Sequence, residues 1–286
     1  MENLNGMSWG LEPLHKKQLE ILLYVDAVCA ELGLDYCLAF GTALGAVRHG
    51  GPIPWDDDAD IHMTLPGLRQ FMDWFEKEGD HERFYIEDHG VKSGVGMAVK
   101  IRMNGTTFIE PLKKDWDMHH GIYIDVFGLA DAPKSRAGQI KVYMAEVFLA
   151  MKSLARRHYV RRKSWLPVLA LMRLWPNSPL NRWAEHILRR NNRRGGSDTY
   201  FGNDIHPHQE AFFPKKSIFP AGRMDYMGRS LAVPADPEFY LRQLYKDYRK
   251  LPDLKTVRDE QHAAFWRVDE DFRNYVPNVS TFADEG

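Results

Sequence analysis

Three aspartates, Asp56, Asp58 and Asp60, alternate along the chain immediately before an apolar run. Every second side chain of an extended strand points the same way, so these carboxyls converge if the strand begins before Asp60. Carboxylates that lie together repel, and each raises the pKa of its neighbour. A divalent cation removes that cost, and Mg²⁺ takes carboxylate, water and phosphate oxygens. The spacing predicts Asp56, Asp58 and Asp60 as ligands of Mg²⁺ or Mn²⁺; an ordinary acidic surface loop is the alternative.

Two further motifs fit chemistry on phosphate groups. Gly41 and Thr42 follow a predicted strand and precede a predicted helix, where backbone N–H groups and a hydroxyl can hold phosphate. Asp125 lies in an apolar run, where a lone carboxylate is costly to bury unless it is paired or bound to metal. With the acids above, these motifs predict transfer of a phosphorus-containing group, with Asp58, Asp60 and Asp125 as catalytic acids.

Two basic residues are candidate phosphate ligands. Arg48 suits a diphosphate because the planar guanidinium matches phosphate geometry, and a structural salt bridge is the alternative. Lys100 lies in a predicted strand over residues 95–102, where simple surface charge fits equally well. The sequence therefore adds Arg48 and Lys100 to the predicted substrate-binding residues.

The stretch from Gly41 to Asp60, GTALGAVRHGGPIPWDDDAD, resembles the signature of the LicD family. That family is related to fukutin and the fukutin-related protein, within the nucleotidyltransferase-fold superfamily. The resemblance covers most of the chain and continues through GIYIDVF at residues 121–127 and a tyrosine-rich stretch near the C-terminus. One departure is Lys246, where the family usually has glycine.

The resemblance implies transfer of phosphocholine, or a related phospho-alcohol, from a CDP-activated donor with release of CMP. CDP-choline would be the donor, and the acceptor would be a hydroxyl of a cell-surface glycan, in a lipopolysaccharide, teichoic acid or capsule precursor. It also implies site roles for the residues that match the family motif. These are Asp58 and Asp60 as metal ligands, Asp56 as a further acid, Gly41 and Thr42 in the phosphate loop, and Asp125 as the third acid, either a ligand or the general base.

Trp55 immediately precedes the acids and could contact a choline head group, because a quaternary ammonium binds aromatic ring faces. Packing in the core is the alternative for a tryptophan at this position. Two other functions remain open from the sequence. One is nucleotidyl transfer to a small-molecule or sugar-phosphate acceptor, and the other is a non-catalytic membrane scaffold.

Charge is unevenly distributed along the chain. Residues 151–196 contain twelve Lys or Arg and one acid, Glu185, whereas the whole chain has a net charge of -1. Aromatic and aliphatic residues lie among the arginines, as in helices that bind anionic lipid at a membrane surface. A solvated helical face is the alternative. Nucleic acid is not an expected partner, because no recognised nucleic-acid-binding module accompanies the charge.

Composition indicates a globular protein, with 44% hydrophobic and 27% charged residues among 286. Cys29 and Cys37 are the only cysteines, which excludes a disulfide scaffold. No signal peptide is expected, and no apolar run approaches the roughly 20 residues of a membrane-spanning helix. The sequence therefore predicts a cytoplasmic protein, peripheral at the inner face of the membrane if the basic segment binds lipid.

The predicted fold class is α+β, a nucleotidyltransferase-like mixed sheet flanked by helices with a helical, basic insertion. We expect a catalytic core over residues 1–135, the basic helices over 136–200 and a C-terminal α+β part over 201–286, packed as one continuous domain. The predicted helices cover residues 19–32, 43–47, 66–78 and 237–248, and the predicted strands cover 34–40, 59–65, 84–87, 95–102, 106–111 and 121–127, with short strands around 217–233.

Overall fold

A mixed seven-stranded sheet flanked by helices forms the body of the protein. The computed structural model describes residues 8–111, 113–156, 166–174, 179–202, 211–254, 257 and 262–275. Within these ranges the sheet runs in the order β1-β2-β6-β4-β3, with β7 beside β6 and β8 beside β7. The α+β prediction is confirmed, whereas the division at residues 135 and 200 stays a prediction.

Helices and strands alternate along most of the chain. The helices are α1 Glu12–Leu32, α2 Phe40–His49, α3 Leu65–Glu78, α4 Arg136–Arg156, α5 Leu166–Leu174, α6 Pro179–Asn191, α7 Lys215–Ile218 and α8 Pro237–Tyr245, followed by a 3-10 turn at Phe272–Asn274. The strands are β1 Tyr36–Leu38, β2 Asp60–Thr64, β3 Phe84–Asp88, β4 Ala98–Met103, β5 Thr107–Ile109, β6 Tyr123–Asp131, β7 Thr199–Gly202, β8 Phe212–Pro214, β9 Gly222–Tyr226, β10 Arg229–Val233 and β11 Phe265–Arg267.

At strand β2 the two faces of the sheet differ, since one carries aliphatic side chains and the other carries aromatic rings. Ile61 and Met63 are fully buried on the first face, and α3 packs against β2 and β6. His62 points the other way, and its ring lies among those of Phe127 and Tyr240. Because strand side chains alternate, Asp60 lies on the same face as His62. The functional acids therefore belong to the aromatic face.

Helix α2 begins earlier than the sequence predicts. It starts at Phe40 instead of residue 43, and Phe40 has a positive φ of 41°. The Phe40 N–H donates to the Tyr240 hydroxyl at 3.0 Å, which helps to hold this unusual backbone conformation. The predicted loop at Gly41 and Thr42 is therefore wrong, because both residues lie in the first turn of the helix.

Tertiary contacts extend or add other elements. Helix α1 starts at Glu12, seven residues before the predicted start, with Pro13 in its first turn, where proline is well tolerated. Strands β7, β8 and β11 were not predicted: β7 pairs with the end of β6, and β11 pairs with β5.

The basic segment contains α5, α6 and the end of α4, while its residues 157–165 and 175–178 lie outside the described part of the chain. No helix in the described ranges is long and apolar enough to cross a membrane. The contact of residues 151–196 with lipid stays a prediction.

The β9–β10 hairpin is held to the first helix by a polar contact. The guanidinium of Arg223 donates to both carboxylate oxygens of Asp26, at 2.8 and 3.0 Å, and the Tyr36 hydroxyl donates to Asp26 at 2.7 Å. Burial acts to raise the pKa of Asp26, but these hydrogen bonds outweigh it, and the pKa lies below its ordinary value.

We expect Arg223→Gln to lower the free energy of unfolding by about 1 kcal/mol at pH 7, since a half-exposed ion pair contributes little more. Because the pKa of Asp26 is lower in the folded protein, its ionised carboxylate stabilises the fold. This stabilisation is complete above the pKa of the unfolded state, near 4, and is lost as the pH falls through the pKa of the folded state. The difference from wild type should therefore shrink below about pH 4. Urea unfolding across pH measures it, with the exposed Arg229→Gln as control. A difference that does not change with pH would contradict the assignment.

Candidate active site

Three neighbouring strands bring Asp60, Asp125 and Lys100 side by side. Asp60 of β2 is the register partner of Asp125 in the parallel strand β6, and Lys100 of β4 is its partner on the other side. Side chains opposite each other in paired strands share a face. Lys100 Nζ donates to Asp125 Oδ2 at 2.6 Å and lies 3.5 Å from the centre of the Tyr123 ring. Asp125 is thus paired, and Lys100 is buried and not a surface charge.

The carboxyls of the preceding loop face this pair. Burial and the charges of Asp58 and Asp57 raise the pKa of Asp56 well above its ordinary value. Burial and the charges of Asp58 and Asp125 do the same to Asp60. Burial also raises the pKa of Asp58, although the nearby charge of His262 opposes the change. These neighbouring charges show that Asp56, Asp58, Asp60 and Asp125 lie near one another, whereas their roles as metal ligands and catalytic acids stay predictions.

Asp57 has a different role from the aspartates on either side of it. Its buried carboxylate accepts hydrogen bonds from the backbone N–H groups of His262 and Ala263 at 2.8 and 2.7 Å. The His262 ring nitrogen Nδ1 lies 3.1 Å from Asp57 and 3.4 Å from Asp58. The hydrogen bond to Asp57 raises the pKa of His262 to about 9, so that its ring is cationic at neutral pH. A residue near the C-terminus therefore adds positive charge to the acid cluster.

Helix α1 holds the acid loop from the other side. His15 Nε2 donates to the backbone oxygen of Asp56 at 2.7 Å, and Gln18 donates to that of Asp57 at 2.8 Å. The sequence patterns did not predict the roles of His15, Gln18 and His262. Extending the helical periodicity of residues 19–32 back to Leu14 puts His15 and Gln18 on an otherwise apolar face, which was a usable signal. His262 gave none, since it lies about two hundred residues from its partners.

Gly41 and Thr42 shape the loop in ways that the sequence did not predict. A Cβ atom on Gly41 would lie 2.6 Å from Asp56 Oδ2, so only glycine allows this approach. The Thr42 hydroxyl accepts the backbone N–H of Asp60 at 2.8 Å. Both residues fix the positions of the acids, and their contact with phosphate stays a prediction.

A cavity of about 610 Å³ opens beside the acid loop, between α2 and the segment that follows α8. Gly41, Arg48, Trp55 and Asp56 all line it. Arg48 donates to the Tyr248 carbonyl at 3.0 Å and to the His49 ring at 2.9 Å. Four predicted site residues thus share one cavity, and the other predicted site residues do not line it.

Trp55 packs in the core, which is the alternative that the sequence left open, and its contact with a choline head group stays a prediction. Its side chain is only 7% exposed and packs against Trp9, with ring centres 6.1 Å apart. It also forms part of the cavity wall, below the guanidinium of Arg48.

The donor set of the cluster suits a hard divalent cation, because it consists of carboxylate oxygens whose charges are incompletely compensated. Across the described ranges, no group of three or more acidic, histidine or cysteine side chains is disposed to hold a metal ion by itself. Mg²⁺ commonly binds proteins through one or two carboxylates and completes its shell with water and phosphate. The residues therefore fit an ion that binds together with a phosphate substrate.

Residues 33–177, half of the chain, match the LicD/FKTN/FKRP nucleotidyltransferase domain. The chain belongs to this family. The lipopolysaccharide cholinephosphotransferase LicD of Haemophilus influenzae is 26% identical over 239 residues, which are 82% of this chain and 89% of that protein. Mannosyltransferase regulator 4 of Saccharomyces cerevisiae is 26% identical over 119 residues, 40% of this chain and 10% of that protein. The prediction of a LicD-type phosphotransferase is confirmed.

The matched range contains every site residue predicted from the sequence. Asp57, which binds the segment around His262, lies within it, whereas His15 and His262 lie outside. The LicD family domain thus carries the acid cluster, and segments before and after it help to hold that cluster in place.

Asp57→Ala should lower the free energy of unfolding by about 2–3 kcal/mol, because it leaves buried N–H groups of His262 and Ala263 without an acceptor. The matched change Asp58→Ala removes a carboxyl that faces other carboxyls and should leave stability unchanged or higher. Chemical denaturation of both variants at neutral pH gives the comparison. Equal losses would refute the distinct role of Asp57.

Gly41→Ala should reduce turnover by roughly 100-fold, since a displacement of about 1 Å at reacting groups can cost that much. The new methyl group would displace the Asp56 carboxylate. Gly222→Ala is the control, because its Cβ would meet its nearest neighbour at an ordinary 3.6 Å. Steady-state rates and circular dichroism of both variants make the test; an active Gly41→Ala would show that the position of Asp56 does not matter.

Proposed function

We propose that this LicD-family enzyme transfers a phospho-alcohol, phosphocholine in the first instance, from a CDP-activated donor to a hydroxyl of a cell-surface glycan. The observation that carries the proposal is the convergence of Asp56, Asp58, Asp60 and Asp125 beside a cavity that contains Arg48. The name of the Haemophilus influenzae relative, a lipopolysaccharide cholinephosphotransferase, supports phosphocholine and a glycan acceptor. CMP would be the leaving group.

Mg²⁺ or Mn²⁺ would be held by Asp58 and Asp60, with Asp56 as an additional acid. When bound, such an ion neutralises charge on the attacked and leaving phosphate oxygens. The carboxyls repel one another, which raises their pKa values. A bound cation relieves this repulsion, and the cluster therefore attracts the ion.

Residues of the chain position the two substrates around the acids. Arg48 faces the cavity and offers a cation to the diphosphate of the donor. Lys100 balances the charge of Asp125 and would offer a cation to a phosphate that binds beside this carboxylate. Asp125 serves either as a further metal ligand or as the base that takes the proton from the glycan hydroxyl.

The cavity suits the alcohol part of the donor. Trp55, Tyr245 and Tyr248 supply aromatic rings, and the carboxylates of Asp247 and Asp253 add negative charge to the same wall. A quaternary ammonium is attracted to ring faces and to acids, so phosphocholine fits these surroundings. The volume of the cavity, about 610 Å³, lies within the ordinary range of small-molecule sites.

We place the reaction in the cytoplasm, at the inner face of the membrane.

Asp58→Asn and Asp60→Asn should each abolish turnover of CDP-choline in the presence of Mg²⁺. The loss should exceed about 100-fold, because each variant removes a carboxylate from the ion that stabilises the transferring phosphate. Stability should not fall, since a repelling charge is lost. The exposed Asp73→Asn is the control. Either active-site variant retaining normal rates would remove the basis of the proposal.

Analysis of the released product tests which phosphorus atom is attacked. CMP is expected for phospho-alcohol transfer, whereas attack at the nucleotide α-phosphate would transfer the nucleotide and release a different phosphate product. Thermal unfolding with CDP-choline, CDP-ribitol or CDP-glycerol then ranks the alcohols, because a bound ligand stabilises the folded protein. Transfer of the nucleotide would replace the proposal with the nucleotidyltransferase alternative.

A further inference from the structure

A second cavity, of about 660 Å³, lies between the end of β6 and helices α4 and α6. Asp131, on its wall, is six residues beyond Asp125 in the same strand, about 20 Å away at the rise of an extended chain. None of the predicted catalytic or substrate-binding residues lines it. The cavity is therefore separate from the acid cluster.

The wall of this cavity is strongly basic. Lys134, Lys141, Arg190 and Arg194 contribute four cationic side chains. Asp131 is the one acid among the described lining residues, and it is already paired. Lys215 Nζ lies 2.5 Å from Asp131 Oδ1, and the Gly196 N–H donates to Oδ2 at 2.7 Å. The four cations therefore give the cavity wall a net positive charge, which suits an anionic ligand.

A buried polar group gives a second indication of a ligand. Asn191 lines the cavity, is 4% exposed, and has a side-chain amide nitrogen with no hydrogen-bond partner in the described structure. Buried amide groups are nearly always hydrogen-bonded, and an exception points to an absent water, ion or ligand. An anion in this cavity would supply acceptor oxygens for such a donor.

The helix that forms one wall continues as an exposed apolar surface. Ile187 and Arg190 line the cavity from α6, and Leu180 and Trp183 precede them at helical spacing on the same face. Leu180 and Trp183 are 40% and 38% exposed. On α4, Ile140 and Met144 are exposed as well, at 46% and 53%. Exposed apolar side chains on the two helices that wall a basic cavity suit an amphiphile with an anionic head.

We propose that this cavity is a second ligand site, which binds the phosphate group of an anionic ligand through Lys134, Lys141, Arg190 and Arg194. A lipid head group and a soluble phosphorylated compound share that chemistry. The exposed apolar residues of α4 and α6 favour the lipid. In this arrangement the lipid phosphate binds in the cavity, and Trp183 contacts the acyl chains. The inference does not depend on the transfer reaction, because binding can be measured without donor or acceptor.

Flotation of the full-length protein with vesicles tests the lipid source. One set contains phosphatidylcholine alone, and the other contains phosphatidylcholine and phosphatidylglycerol in equal parts. Wild type should bind the anionic set preferentially. Arg190→Glu should weaken this binding at least about tenfold more than Arg182→Glu, an identical charge reversal on α6 outside the cavity. Lys141→Glu and Arg136→Glu form the equivalent pair on α4.

Thermal unfolding in increasing inorganic phosphate tests the soluble source. A rise in the melting temperature that Arg190→Glu and Lys141→Glu abolish, but their controls keep, would support the site with a soluble ligand. All four positions are exposed, and unchanged melting temperatures without phosphate would show that the variants fold. If each cavity variant and its control had equal effects in both assays, binding would come from the overall positive charge of the surface and not from the cavity. That result would overturn the proposal.

Discussion

The parallel pairing of β2 with β6 is the constraint on which the site depends. It sets Asp60 beside Asp125 in register, and the antiparallel strand β4 then places Lys100 on the far side of Asp125. If the pairing of β2 shifted by one residue, the Asp60 side chain would point to the aliphatic face of the sheet, where Ile61 lies and which α1 and α3 cover. Burial on both faces of β2 prevents that shift, so the hydrophobic core determines the geometry of the charged groups.

The arrangement is electrostatically costly, and the rest of the fold compensates for it in part. Four carboxyls converge, while Lys100 and His262 are the cations in contact with them among the described residues. Hydrogen bonds from His15 and Gln18 hold the loop backbone, so that the carboxyls cannot move apart. Binding sites for cations are commonly built in this way, with repulsion stored in a rigid frame and relieved by the ligand.

Local sequence patterns grouped Asp56, Asp58 and Asp60 by assuming an extended strand, but β2 begins only at Asp60. The earlier acids reach the cluster from a loop that α1 and the segment around His262 hold in place. The sequence patterns also identified Asp125, since an isolated carboxylate in an apolar strand needs a partner, and Lys100 proved to be that partner. The roles of Gly41 and Thr42 could not be predicted, because they depend on the approach of Asp56 and on the backbone of Asp60. The start of α2 was missed for a similar reason, since the Tyr240 hydroxyl supports the positive φ of Phe40 from far along the chain.

The bond between Asp57 and the His262–Ala263 backbone has a consequence for biosynthesis. During translation the acidic loop leaves the ribosome long before residue 262 is made, and Lys100 is then its first neutralising neighbour to appear. Until residue 262 emerges, the acid loop of the nascent protein lacks the cation of His262. Asp57 thus gains these hydrogen-bond donors only after residues 262 and 263 have been made, and a polypeptide that stops before them has the LicD motif without the contacts that hold its acid loop.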